Sequence, residues 1–129
     1  MSEYSFWYYC VYSWCLRTWG SSDQPQWNAA LGLSLAGALN LGSLVLIFNN
    51  IGSAGLRIPT EGFAIAYVLL LAFHYWIFVR AGRYLEIARS VESDPLRNRR
   101  STLTGWLYVL GSPIAFISLV AMQGTRNAA

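Results

Sequence analysis

Charged side chains are scarce in this sequence of 129 residues: they make up 12% of the chain, whereas apolar side chains make up 55%. A typical soluble domain carries about twice that share of charge. A soluble chain of this length also has too much surface to cover with so few charged groups. The composition therefore excludes an ordinary water-soluble domain and favours a single domain whose outer surface faces lipid.

Groups that perform chemistry are equally few. The chain has one histidine, His74, and two cysteines, Cys10 and Cys15, which on a helix would point about 140° apart and could not form a local disulfide. The sequence offers no further ligands that would complete a metal site. It also contains no Ser–His–Asp set and no phosphate-binding glycine loop. We expect no enzymatic activity, no metal site and no nucleic-acid partner.

Long uncharged runs dominate the rest of the chain. Residues 27–49, 62–79 and 103–122 carry no charge over 23, 18 and 20 positions. At a rise of about 1.5 Å per residue, such runs are long enough for a hydrocarbon core about 30 Å thick. Buried helices of soluble proteins are shorter and usually have one charged face, which these runs lack. The sequence predicts an all-α integral membrane bundle with three transmembrane helices.

The N-terminal segment, residues 4–19, is aromatic rather than aliphatic. Its aromatic side chains are Tyr4, Phe6, Trp7, Tyr8, Tyr9, Tyr12, Trp14 and Trp19. Tyrosine and tryptophan prefer the headgroup level of a membrane, and the uncharged run of 13 residues from Tyr4 to Leu16 is short for a span. We predict an interfacial helix, with a short, tilted fourth span as the alternative.

Arginine marks one side of the membrane. Loop 80–103 carries six arginines against three acidic residues, whereas the loop after the first span carries only Arg57. Because basic residues accumulate in cytoplasmic loops, loop 80–103 is predicted to be cytoplasmic and the C-terminus to lie outside. The chain has no lysine, which is typical of a GC-rich genome, so we expect the inner membrane of a bacterium.

The helix of residues 62–79 is predicted to continue in the cytoplasm to about residue 92. Arg83, Glu86 and Arg89 are spaced three apart and would pair along one face of this extension. Asp94–Pro95 would end it, and Ser101 or Thr102 would cap the last helix.

Asn40 lies near the middle of the first long run, where an amide must find a hydrogen-bond partner. Small residues surround it at a spacing of four and let another helix approach closely: Ala30, Ser34, Ala38 and Gly42. This pattern predicts a helix-packing face, and it leaves open whether the partner helix belongs to this chain or to a neighbour.

His74 lies inside the second long run, where two interpretations are possible. A lone histidine at that depth is most often a hydrogen-bonded packing residue, although it is also a candidate proton site or an axial ligand of a haem or chlorin. No other cofactor is predicted.

The cytoplasmic loop is expected to attract lipid headgroups or an acidic protein partner through its arginines, which are Arg80, Arg83, Arg97, Arg99 and Arg100.

Three functions fit these features. The first is an accessory or interaction subunit that binds other membrane proteins or copies of itself. The second is a membrane-active effector that forms a small oligomeric pore, such as a holin-like or antiviral defence protein. The third is an immunity or inhibitor protein that blocks another membrane protein. The absence of Asp and Glu from the three long runs argues against a proton-coupled exporter of the small multidrug type.

Overall fold

The computed structural model describes residues 3–52, 59–93 and 95–128, and these residues form helices joined by short turns. The α-helices are α1 (Glu3–Trp19), α2 (Pro25–Gly52), α3 (Thr60–His74), α4 (Arg83–Glu92) and α5 (Pro95–Ala128). A 3-10 turn (Ser21–Asp23) joins α1 to α2, whereas a π-helical segment (Tyr75–Val79) and a 3-10 turn (Arg80–Gly82) join α3 to α4.

The predicted all-α membrane bundle is confirmed. Three helical segments are long and apolar enough to cross a bilayer, namely Pro25–Ile51, Thr60–Glu92 and Thr102–Thr125. Within the described part of the chain there is no strand, as expected where lipid cannot satisfy unpaired backbone groups. The chain is a multi-pass membrane protein.

Helix α2 is the central element. It contacts α1, α3 and α5, and a third of its most apolar stretch is buried, compared with 11% for each of the other two spans. Small side chains make this position possible, since Ala29, Ala30 and Ala38 are completely buried and let neighbouring backbones approach.

Helix α1 packs against one end of the bundle only. Val11 lies over Gly32 of α2, and Cys10 lies over Gly105 of α5. Together with Leu33 and Phe78, residues of α1 form the main buried cluster. These contacts all lie in the half of the bundle that carries Arg17, Arg80 and Arg83. The interfacial position of α1, with a short, tilted fourth span as the alternative, stays a prediction.

The predicted helical extension does end at Glu92, but it does not continue the second span without a break. Ala81 and Gly82 have φ values of 62° and 70°, so the chain leaves the axis of α3 before α4 begins. Helix α4 then turns back along α1, where Tyr84 contacts Tyr12 and Val91 packs against Phe6. Ala81 adopts a left-handed conformation that costs an L-residue about 1–2 kcal/mol, which the packing of α4 on α1 must offset.

The last helix begins earlier than the capping prediction placed it. Helix α5 starts at Pro95, so Thr102 lies within it rather than at its end. Proline is favoured in the first turn of a helix because its missing N–H would be unpaired there in any case.

The predicted ion pairs of Arg83 and Arg89 with Glu86 are not formed either, since no salt bridge involves these three side chains in the described part of the chain.

We predict that Gly105→Leu destabilises the contact between α1 and α5. A Cβ at residue 105 would lie 3.2 Å from Cys10 Sγ and 3.4 Å from the backbone of Trp7. Overpacking of this kind costs about 1–3 kcal/mol, so the melting temperature of the protein in detergent should fall. Gly111→Leu on the same helix is the control, because a Cβ there meets no atom within 4 Å. An equal fall in both variants would contradict this packing.

Candidate functional site

His74 is completely buried at the junction of α1, α2 and α3. Its Nδ1 lies 2.8 Å from the Ser34 hydroxyl oxygen, and its Nε2 is hydrogen-bonded to the Tyr4 hydroxyl. Ser34 also lies 2.6 Å from the carbonyl oxygen of Ala30, one turn earlier in α2. Three helices that are distant in sequence therefore meet at one imidazole ring.

The direction of these hydrogen bonds follows from the chemistry of the groups. A carbonyl only accepts, so the single hydroxyl proton of Ser34 is donated to Ala30. The Ser34 oxygen must then accept from His74 Nδ1–H, which leaves Nε2 of the neutral ring as the acceptor for the Tyr4 hydroxyl. In this tautomer the side chains of Tyr4, Ser34 and His74 are all hydrogen-bonded, as a low-dielectric interior requires.

Aromatic rings enclose the histidine. Phe78, one turn further along, stacks on it and lies 4.3 Å from the ring of Tyr8, centroid to centroid. Tyr8 in turn donates its hydroxyl hydrogen to the backbone carbonyl of Gln26. The π-helical segment after His74 lies within this contact, as π-turns often do at sites where a side chain must be re-aimed. The enclosure fixes α1 to the bundle at a second point.

This geometry favours the packing interpretation of His74 over a ligand role. Both ring nitrogens are engaged by protein groups, so axial ligation of a haem or chlorin would first require loss of the Tyr4 or Ser34 hydrogen bond. The sequence indicated that His74 needed a polar partner, but it did not indicate Tyr4, which lies 70 residues away. The sequence showed only that α1 is rich in tyrosine hydroxyls, any of which could serve as such a partner.

The small-residue row lies inside the chain. Ala30, Ser34 and Ala38 are completely buried, and a Cβ at Gly42 would lie 2.9 Å from the ring of Phe116 of α5. These small residues are therefore covered by helices of the same chain.

Asn40 lies apart from that row. Its side chain is half-buried, and no hydrogen bond to its amide occurs within the described part of the chain. Residues around it on the same side of α2 are exposed and apolar: Leu41, Leu44, Ile47, Phe48 and Ile51. An amide in the middle of a span therefore has no hydrogen-bond partner among the described residues.

Two of the predicted basic residues line one cavity. Arg80 lies with its guanidinium carbon 3.7 Å from the ring centroid of Trp76, and the cavity between Trp76 and Arg83 has a volume of about 240 Å³. The side chains of Arg97, Arg99 and Arg100 lie outside the part of the chain that the structure describes. Among the described residues, no group of three His, Cys, Asp or Glu side chains could hold a metal ion.

No family model matches this chain, and comparisons with curated proteins and with solved structures give no match either.

We predict that Tyr4→Phe lowers the melting temperature in detergent, because it leaves His74 Nε2 buried without a donor. An unsatisfied buried group of this kind costs about 1–3 kcal/mol. Tyr9→Phe is the matched control on the same helix, since its hydroxyl makes no hydrogen bond in the described part of the chain. Equal melting temperatures for wild type and Tyr4→Phe would show that the hydrogen bond contributes nothing to stability.

Proposed function

We propose that this chain is a non-enzymatic interaction subunit of the membrane that assembles with a second copy of itself through the open face of α2. The observation that carries the proposal is the unpartnered amide of Asn40 within an exposed apolar surface. Lipid alone would solvate the surrounding leucine and isoleucine side chains. It provides no hydrogen-bond partner for the amide.

The open face continues the face that α1 covers. Leu33 lies seven residues before Asn40 and is buried beneath α1, whereas Leu44, Ile47 and Ile51 beyond Asn40 are exposed. Residues 33, 40, 44, 47 and 51 fit the spacing of four and three that is typical of helices packed as a left-handed pair. Tyr4, at the start of α1, lies beside His74 and Ser34, and the exposed residues of α2 beyond Asn40 leave room for a second helix on this face.

A second copy supplies the complement that Asn40 requires. Copies inserted with the same topology place Asn40 at the same depth, and a two-fold axis along the membrane normal would bring the two amides together. Each amide has one acceptor oxygen and two donor hydrogens, so two amides can pair reciprocally. A single asparagine in such an apolar seam also specifies the register and the number of helices.

The proposal includes an orientation. We place the end of the bundle that bears Arg17, Arg80 and Arg83 in the cytoplasm of a bacterial cell, in accordance with the positive-inside rule. Aromatic contacts at that same end support the placement, because Trp27 stacks on Tyr75 and Trp14 packs against Trp106. Tryptophans gathered at one level of a bundle are typical of a membrane interface.

We predict that oxidation links Leu44→Cys chains into disulfide dimers in native membranes, because the two α2 helices would face each other at this residue. Ile117→Cys is the control, since this residue is also exposed but lies on a different span. The natural Cys10 and Cys15 are buried, so wild type should remain uncrosslinked.

Adding Asn40→Leu to Leu44→Cys should weaken the dimer by about 3- to 30-fold, which corresponds to the 0.6–2 kcal/mol of a membrane hydrogen bond. Crosslinking by Ile117→Cys to the same extent as by Leu44→Cys would contradict the proposed face. An unchanged dimer in the Asn40→Leu background would contradict the role of the amide.

The same proposal predicts that induced expression leaves the membrane potential intact. A pore needs a polar surface, whereas the exposed faces of the spans carry side chains such as Leu69, Ile114 and Ile117. A potential-sensitive dye in induced cells provides the measurement, with an uninduced culture as the control. A collapse of the potential on induction would instead support the pore-forming effector.

A further inference from the structure

A second feature of the surface is independent of the open face of α2. Trp76, Arg80 and Arg83 surround the cavity of about 240 Å³ where α3 gives way to α4. Both arginines are exposed, and neither forms a salt bridge or hydrogen bond in the described part of the chain. Two free guanidinium groups therefore line one cavity with no acidic group of the protein bound to them.

The two arginines flank the break in the helix. The left-handed conformations of Ala81 and Gly82 turn the chain sharply between them, and both side chains line the same cavity. Contact with the Trp76 ring holds the Arg80 guanidinium in place by a cation–π interaction. In addition, the first N–H groups of α4 have no side-chain cap at Gly82, and such groups favour a bound anion.

The position of the cavity in the membrane suggests the source of the anion. Apolar residues of the second span end at Val79, immediately before Arg80, and Trp76 is 63% exposed. An exposed tryptophan followed by arginine is typical of the headgroup level. Phosphate groups are the anions that a bilayer provides at this depth.

From these contacts we propose that Trp76, Arg80 and Arg83 form a binding site for a phosphate group, supplied by an anionic phospholipid of the arginine-bearing leaflet. Guanidinium groups match phosphate oxygens with paired N–H donors. Because no carboxylate is bound to the guanidinium groups of Arg80 and Arg83, their positive charge would repel the ammonium group of a zwitterionic headgroup. The site thus selects phosphatidylglycerol over phosphatidylcholine.

The experiment uses the full chain in detergent, titrated with phosphatidylglycerol or phosphatidylcholine, with bound lipid counted by native mass spectrometry. The test variant is Arg80→Gln/Arg83→Gln, and the matched control is Arg17→Gln/Arg89→Gln, which removes the same charge from exposed sites elsewhere. Circular dichroism checks that each variant retains its helices. Arg80→Lys/Arg83→Lys keeps the charge without the paired donors.

We expect the test variant to bind phosphatidylglycerol about 30-fold more weakly, which corresponds to about 1 kcal/mol for each arginine near a membrane surface. The control variant should bind like wild type, and the lysine variant should lie between the two. Equal losses in the test and control variants would show bulk attraction and overturn the site. Equal binding of phosphatidylcholine and phosphatidylglycerol by wild type would also overturn the site.

A parallel titration with inorganic phosphate distinguishes the two sources. Weak or absent binding of free phosphate supports the lipid as the ligand. Binding of free phosphate as tight as that of phosphatidylglycerol, and lost in the test variant alone, supports the phosphate site but overturns its assignment to lipid.

Discussion

Solvation by lipid is the constraint on which the rest of this structure depends. In a hydrocarbon core every backbone group must be satisfied within the chain, so the three long runs can only be helices. Lipid also removes the need for a large buried core, because apolar side chains are stable on the outside. This explains why only 11% of the most apolar stretch is buried in the second and third spans, whereas a third of it is buried in α2.

The same constraint sorts the polar side chains into two groups. Most hydroxyls bond to a carbonyl one turn earlier in their own helix, as Ser43 does to Leu39 and Ser112 to Tyr108. His74 cannot do so with both nitrogens, and its position between Ser34 and Tyr4 supplies what its own helix lacks. Asn40 has no such partner in residues 3–52, 59–93 and 95–128. That contrast is why the proposed assembly depends on Asn40 and not on His74.

Features set by run length and composition could be predicted from the sequence, whereas features set by contacts across the fold could not. The three spans follow from uncharged length alone. The break at Ala81 has no comparable signal, because alanine favours helices and only Gly82 beside it indicates a turn. Pairing of Tyr4 with His74 depends on the path of α1 over the bundle. Likewise, the small residues of α2 predicted a packing face, but they did not indicate that other helices of the same chain cover it.

Alkaline carbonate extraction of membranes from cells that express the full chain tests whether lipid is the solvent of the three spans. Carbonate strips proteins that are held at the surface, whereas chains solvated by lipid stay in the pellet until detergent is added. The account predicts that all of the protein remains with the membrane in carbonate and dissolves only in detergent. A monomer in the aqueous fraction without detergent would show that these helices bury their apolar faces in some other way, and would contradict the account.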